Sequence, residues 1–342
     1  MAAIRVLQVL ADTDATDANL AAVEVHAVLA GAGVEMRTLA LGPGRLGQLA
    51  GTVPVIAPSR RSIAAHTQLH EEQRWAQVLM LRGTEVASVA ALVPGPAARI
   101  LVLGAEPQGW SEGRRVGRLV RRLATGAASV VVGWGGAAEI VEAVLGVDAQ
   151  QIRVIPTGVP GSGGPTTQAA RSAALALAGI DAERPTVRVL WNSADRTHSG
   201  VGRHVRFDAS GFRQLIGESA ELLSASLEPE LARAAADMVV ELDGRAGPSP
   251  ELLRSVLAGA VAITPRWPAL AALVEDDVTG CTIELPLTTE HLVGAVRPLV
   301  EDSDRRTRLA AAGTARAAQD FTATELLPRW LETLRSALPS TP

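Results

Sequence analysis

The sequence predicts an α/β protein of two domains. Three observations carry that expectation. Short β-branched runs alternate with longer helical patterns through the first half, the rhythm of a parallel sheet covered on both faces. A second series of strands and helices follows Gly161–Thr167, which reads Gly-Ser-Gly-Gly-Pro-Thr-Thr and is the one clearly linker-like segment. A length of 342 residues gives two domains of ordinary size, each able to bury its own core.

The elements follow in order. Ile4–Leu10 reads as a strand, Asp17–Ala30 as a helix and Val34–Leu41 as a second strand. Gly31 and Gly33 stand where that helix stops and the chain turns. Gln77–Leu81, Arg99–Leu103 and Ser129–Val132 are further strands, and Gln151–Val159 is a strand running into Pro-Thr-Gly. After the linker come a helix near Ala169–Ala178, a strand at Val187–Trp191, one helix over Glu218–Ala236 and a strand at Met238–Leu242. Ala246–Pro286 then reads as helix, small-residue turn, short buried strand, helix, Thr-Gly turn and strand. Helices over Thr288–Val300, Asp304–Gln319 and Thr322–Leu338 complete the chain.

Composition narrows the function. Apolar residues make up 47% and charged residues 20%, a globular balance. All 32 basic residues are arginine, with no lysine and no tyrosine. With the Ala, Gly and Val richness, this points to a high-GC coding sequence rather than to a function. A net charge of −4 argues against nucleic acid as the partner of the chain as a whole. Cys281 stands alone, which excludes an internal disulfide and fits a reducing compartment. The first ten residues run directly into a strand without a basic segment and signal core. No run of about 18 apolar residues is present. A cytoplasmic location is expected.

Three segments carry a resemblance. Ile155-Pro-Thr-Gly-Val159 follows a strand near the linker; Ser-Val-Leu-Ala-Gly-Ala-Val-Ala-Ile occupies 255–263; Phe321-Thr322 with Glu325 opens the last helix. In rhythm these resemble the family 4 glycosyltransferases, the retaining group with the two-domain GT-B fold. The resemblance is best over residues 120–165 and 237–335, weaker over 1–110, and nearly fails over 192–236, where the family usually has another strand–helix unit. It implies two Rossmann-like domains facing across a cleft, the C-terminal one shortened. Residues 1–160 would be the acceptor-side domain, 161–321 the nucleotide-sugar-side domain, and 322–342 a helix crossing back to the first.

The resemblance also implies a donor site, and most of its residues are replaced. The family carries two glutamates eight positions apart, one on the ribose hydroxyls and one facing the reacting centre. A carboxylate suits both tasks because it accepts from two hydroxyls at once. The matching positions here are Gly247 and Ser255. Glu251 lies between them, one turn before Ser255, and also reads as a first-turn acid favoured by the helix dipole. Ser249 is a good N-cap and Pro250 a good first helical residue. The family's phosphate grip, Gly-Arg-Leu-x-x-x-Lys-Gly, matches 193–200 within Trp-Asn-Ser-Ala-Asp-Arg-Thr-His-Ser-Gly. Ala194 and Ser199 stand for the Arg and Lys, and Arg196 and His198 are the nearby cations. The family's Gly-Gly pair aligns with Pro268 and Ala269. The donor-binding candidates are therefore Arg196, His198, Glu251 and Ser255, with no catalytic residue assigned.

The first domain follows the same pattern. The loop Asp12-Thr-Asp-Ala-Thr-Asp17 is acidic where the family has glycines, and reads as a solvated helix cap. Leu103-Gly-Ala-Glu-Pro-Gln-Gly-Trp110 lacks the histidine common there; Glu106 could occupy that area. His66 and His70 have the i, i+4 spacing of two metal ligands, but no third ligand is placed, so no metal site is expected. Gly109-Trp-Ser-Glu-Gly113 matches a nucleophile-elbow pattern, yet seven residues separate Leu103 from Ser111 and no base is placed, so Ser111 reads as a residue opening a helix. Arg114, Arg115, Arg118, Arg121 and Arg122 fall on one side of a helix, opposite Val116, Leu119, Val120 and Leu123. This face reads as solvated, or as an acceptor or membrane face centred on Arg114, Arg118 and Arg121.

Two functions follow from the resemblance. The first is a glycosyltransferase-like protein related to nucleotide-sugar-dependent retaining hexosyltransferases. It would use no cofactor, take a sugar, glycan or lipid-linked acceptor, and touch the inner face of the plasma membrane peripherally. The second is a non-catalytic relative serving as scaffold or partner of an active glycosyltransferase. Each lost charge-assisted hydrogen bond is worth roughly 1.5–3 kcal/mol, and all the losses fall on the donor, which favours the second mechanistically.

Overall fold

The computed structural model describes residues 3–12, 17–42, 52–53, 62–104, 114–161, 164–190, 205–217, 219–242 and 247–338. The chain forms two compact units. Residues up to Pro160, joined by those from Ala323 onward, make the first, and Gly161–Thr322 make the second.

The first unit is built on a seven-stranded sheet in the order β3-β2-β1-β4-β5-β6-β7. Its elements are β1 (Arg5–Leu10), α1 (Asp17–Gly31), β2 (Glu35–Ala40), β3 (Thr52–Val53), α2 (Ile63–Glu72), β4 (Val78–Arg82), α3 (Gly83–Ala90), β5 (Ala98–Leu103), α4 (Arg114–Thr125), β6 (Ser129–Val132), α5 (Gly135–Leu145) and β7 (Ile152–Val154). Every pairing is parallel. The strands are apolar runs because both faces are covered. Leu7, Val9, Leu79, Leu81 and Leu101 share one core with Leu69, Val86, Val120 and Val141 of α2 to α5. Val6, Met80, Ile100 and Val131, on the alternate positions, share the other with Leu29 of α1.

The C-terminal helix Ala323–Ala337 belongs to that second core. Leu326, Trp330 and Leu334 repeat every four residues and are all buried. The Ala323 amide donates to the Val159 carbonyl at 2.7 Å, so the start of the helix is pinned to the end of the first unit's chain. Burying each of these side chains contributes about 1.5–3 kcal/mol.

The second unit has a five-stranded parallel sheet, β10-β8-β11-β12-β13, and a short pair, β14-β9. Its elements are α6 (Gln168–Ala178), β8 (Thr186–Leu190), β9 (Val205–Arg206), α7 (Ala209–Ile216), β10 (Glu221–Leu222), α8 (Pro229–Ala235), β11 (Met238–Glu241), α9 (Pro250–Leu257), β12 (Val261–Pro265), β13 (Gly280–Ile283), β14 (Leu287–Thr288), α10 (Thr289–Glu301) and α11 (Ser303–Asp320). The C-terminal helix of the first unit is α12. Val187, Met238, Val240 and Ile263 meet Phe212 of α7, Leu292 and Val296 of α10, and Leu309 of α11. At the other end of β8, Arg171 clamps Asp237 through Nε at 2.9 Å and Nη2 at 2.6 Å, and Asp237 also accepts from the Thr186 amide.

Two expectations are corrected. The single helix over Glu218–Ala236 is instead the short strand β10 followed by α8, with α7 ahead of them. Gly217 ends α7 at a positive φ, and Pro229 starts a new helix rather than continuing one. After β12 the expected helix is one 3-10 turn, Pro268–Leu270. Otherwise β1, α1, β2, β4, β5, β6, β8, β11, α10, α11 and α12 lie within a few residues of their expected bounds.

Candidate functional site

Two of the four candidate donor residues, Glu251 and Ser255, meet one arginine that the sequence reading did not single out. Arg188 is the middle residue of β8, Thr-Val-Arg-Val-Leu. Val187 and Val189 face the core with α7 and α10, so strand alternation turns Arg188 to the opposite face. There Arg188 Nη1 donates to Glu251 Oε1 at 2.7 Å and to Ser255 Oγ at 3.1 Å. Arg233, on α8, donates its own Nη1 to the same Glu251 oxygen at 2.7 Å. Arg254 stands 3.7 Å from the other oxygen. One carboxylate thus answers three guanidinium groups.

The helix carrying Glu251 and Ser255 is set by its first turn. Ser249 caps α9, its Oγ accepting from the Leu252 amide at 3.0 Å, and Pro250 is its first residue, as the sequence implies. The Ser249 hydroxyl also donates to Glu241 Oε2 at 3.0 Å. Glu241 is buried at the C-terminal end of β11. A phosphate arriving at this helix start would meet that carboxylate and a proline without an N–H.

The two positions that the resemblance aligns with the family's glutamates are a buried serine and a glycine. Ser255 is 0% exposed, so its hydroxyl reaches Arg188 and not solvent. Gly247 has φ +122°, a conformation that side-chain-bearing residues rarely adopt. Open space surrounds the direction a Cβ would take, so the obstacle there is the backbone. Glu251 is the expected first-turn acid, and it also bridges β8 and α8.

Arg196 and His198, with Ala194, Ser199 and Gly200, lie outside the described residues, as do Glu106 and Ser111. The Arg114 side chain also lies outside the description, although its backbone begins α4. Arg118, Arg121 and Arg122 are exposed while Val120, Leu123 and Ala124 are buried, so α4 is amphipathic with a basic outer face. Arg121 ties part of that face down by donating to the Val144 carbonyl at 2.9 Å. Asp12 accepts from Asn19, a local cap. His66 bonds the Ser62 carbonyl, and His70 bonds Gln73 and Arg74. Among the described residues no group of three or more metal-ligating side chains forms, and no helix is long and apolar enough to cross a membrane.

Arg188 and Arg233 carried a weak signal in the sequence. Arg188 is the only charge inside an otherwise apolar strand, and a buried-face arginine needs a carboxylate opposite. Glu251 is that carboxylate, but nothing in sequence spacing joins residues 63 positions apart.

No family model matches the sequence, and no curated protein is significantly similar to it. Solved structures give the fold. Anabaena HepE in complex with UDP and glucose superposes with a TM-score of 0.77 at 16% identity, covering 97% of this chain and 100% of that one. Sucrose-phosphate synthase from Thermosynechococcus elongatus gives 0.72 at 13% identity, covering 97% and 98%. WaaG, a glycosyltransferase involved in lipopolysaccharide biosynthesis, gives 0.68 at 14% identity, covering 95% and 98%. The chain has the GT-B fold of glycosyltransferases.

Proposed function

We propose that this chain is a glycosyltransferase-like protein, related to nucleotide-sugar-dependent retaining hexosyltransferases, that does not run their standard donor chemistry. Full-length similarity to HepE, which is described with UDP-glucose, supports the first half. The Arg188 bridge supports the second. It occupies both Glu251 and Ser255, the two candidates that could have met a ribose.

On this reading the second unit is the nucleotide-sugar side and the first the acceptor side, with a sugar, glycan or lipid-linked acceptor. The protein is cytoplasmic, with peripheral contact at the inner membrane face through the basic side of α4, and it uses no cofactor. The same Arg188 bridge favours a second reading, a non-catalytic scaffold or partner of an active glycosyltransferase. An active enzyme would have to hold its donor from residues 191–204, with Arg196 or His198 on the phosphates. A transfer and hydrolysis assay with UDP-, GDP- and ADP-sugars separates the two. Turnover lost in Arg196→Gln supports the active reading, and absence of any nucleotide release supports the non-catalytic one. Turnover lost on changing Gly247 or Ser255 would contradict the proposal itself.

A further inference from the structure

The first unit holds a cation, Arg82, that no carboxylate among the described residues neutralises. The order β3-β2-β1-β4-β5-β6-β7 reverses direction between β1 and β4. In open parallel sheets, that reversal opens a crevice at the C-terminal ends of the strands, where ligands bind. Arg82 is the last residue of β4 and stands at that crevice. Gly83, with φ +84°, lets α3 start at once, and no side chain caps the first amides of that helix.

Arg82 is held in place by neutral groups. Its Nε donates to Gln8 Oε1 at 2.8 Å. Gln8 is fully buried and is itself fixed, donating to the Ala22 carbonyl at 3.1 Å and to Thr38 Oγ1 at 3.3 Å. Among the described residues its other acceptor is the Met80 sulfur, 3.7 Å from Nη2, a weak one. Trp330 of α12 lies with its ring centroid 5.9 Å from Cζ. No carboxylate among the described residues pairs with Arg82. Arg171 and Arg188, by contrast, are each matched with an acid. Glu85, the acid in the first turn of α3, is exposed to solvent.

Burial lowers the Arg82 pKa to about 10, so it remains a cation at neutral pH. Arg82 is part-buried, and a part-buried charge that no described carboxylate neutralises carries a desolvation cost that an arriving anion relieves. With Nε anchored, the terminal nitrogens form a fixed fork that matches two oxygens of a phosphate.

We propose that Arg82 is the anchor of an anion site in the first unit, built for the phosphate group of a phosphate monoester. The site does not depend on nucleotide binding by the second unit. Its phosphate could belong to a soluble sugar phosphate or to a lipid headgroup, and the test separates them.

The parent protein and Arg82→Gln are titrated calorimetrically with inorganic phosphate and glucose 6-phosphate. Both are also sedimented with phosphatidic acid vesicles and with phosphatidylcholine vesicles. The expected result is binding of at least one phosphate source by the parent, weakened about tenfold or more in Arg82→Gln. Vesicle binding without soluble binding assigns the lipid source, and the reverse assigns the soluble one. No binding by the parent, or equal binding by the variant, overturns the proposal. If Arg82→Gln does not fold, phenylglyoxal labelling of the parent decides. Arg82 should be modified in phosphate-free buffer and protected by the bound phosphate source. Failure of either overturns the proposal.

Discussion

Arg188 and Glu251 are 2.7 Å apart, and the same guanidinium nitrogen reaches Ser255 at 3.1 Å. The contact joins a central strand to the helix that carries the aligned ribose position. It engages one carboxylate oxygen of Glu251 and the Ser255 hydroxyl, the two candidate donor contacts on that helix.

Glu251→Gln should therefore behave as a stability mutation. It removes charge from the acceptor of Arg188 and Arg233, two short hydrogen bonds to partly exposed groups. A loss of about 2 kcal/mol is expected, reduced by the partial solvent access of all three side chains. Urea unfolding of parent and variant measures it. A change below a few tenths of a kcal/mol would mean that the bridge contributes nothing.

Ser255→Glu should not create a donor site. The larger side chain enters a fully buried position beside Leu252 and Val256, and its charge meets Arg188 and Glu251. Overpacking of about 1–3 kcal/mol is expected, with no gain in nucleotide affinity. Gain of UDP binding in this single variant would show the position to be open.

The Cys281 thiol, buried in β13, is pushed up to about 11 by desolvation. Because the folded state holds the proton more tightly, this group's contribution to stability is complete below the unfolded value of 9.0 and is lost as pH rises towards about 11. Ellman's reagent at pH 8 should react slowly with the folded protein and rapidly after urea unfolding. Equal rates would place the thiol at the surface.

The triple variant Arg114→Gln, Arg118→Gln, Arg121→Gln tests the outer face of α4. Binding to anionic vesicles should fall by about 1 kcal/mol for each arginine that reaches the membrane, and the parent's binding should weaken with salt. The circular dichroism spectrum should not change. Unaltered vesicle binding would assign this face to solvent alone.

The fold was largely legible because its strands are long apolar runs between helical patterns. Leu7, Val9 and Leu81 need no partner information to read as core. The region 205–236 was not legible. Its strands β9 and β10 are two residues each, and only pairing with β14 and β8 defines them. At the candidate site the sequence located Ser249, Pro250, Glu251 and Ser255 on one helix start. It did not reveal what faced them, because Arg188 and Arg233 come from a distant strand and another helix. Arg82 was missed for the same reason: its significance lies in the buried Gln8 beside it and in the absence of an acid among its described neighbours.

Calorimetric titration of the parent protein with UDP, GDP and ADP tests the central claim most directly. With Gly247 in a backbone conformation that disfavours a glutamate and Ser255 sealed against Arg188, affinity should be poorer than about 1 mM for all three, weaker than roughly −4 kcal/mol. Micromolar binding of any of them would contradict it, and would mean that this GT-B protein grips its nucleotide without the carboxylates.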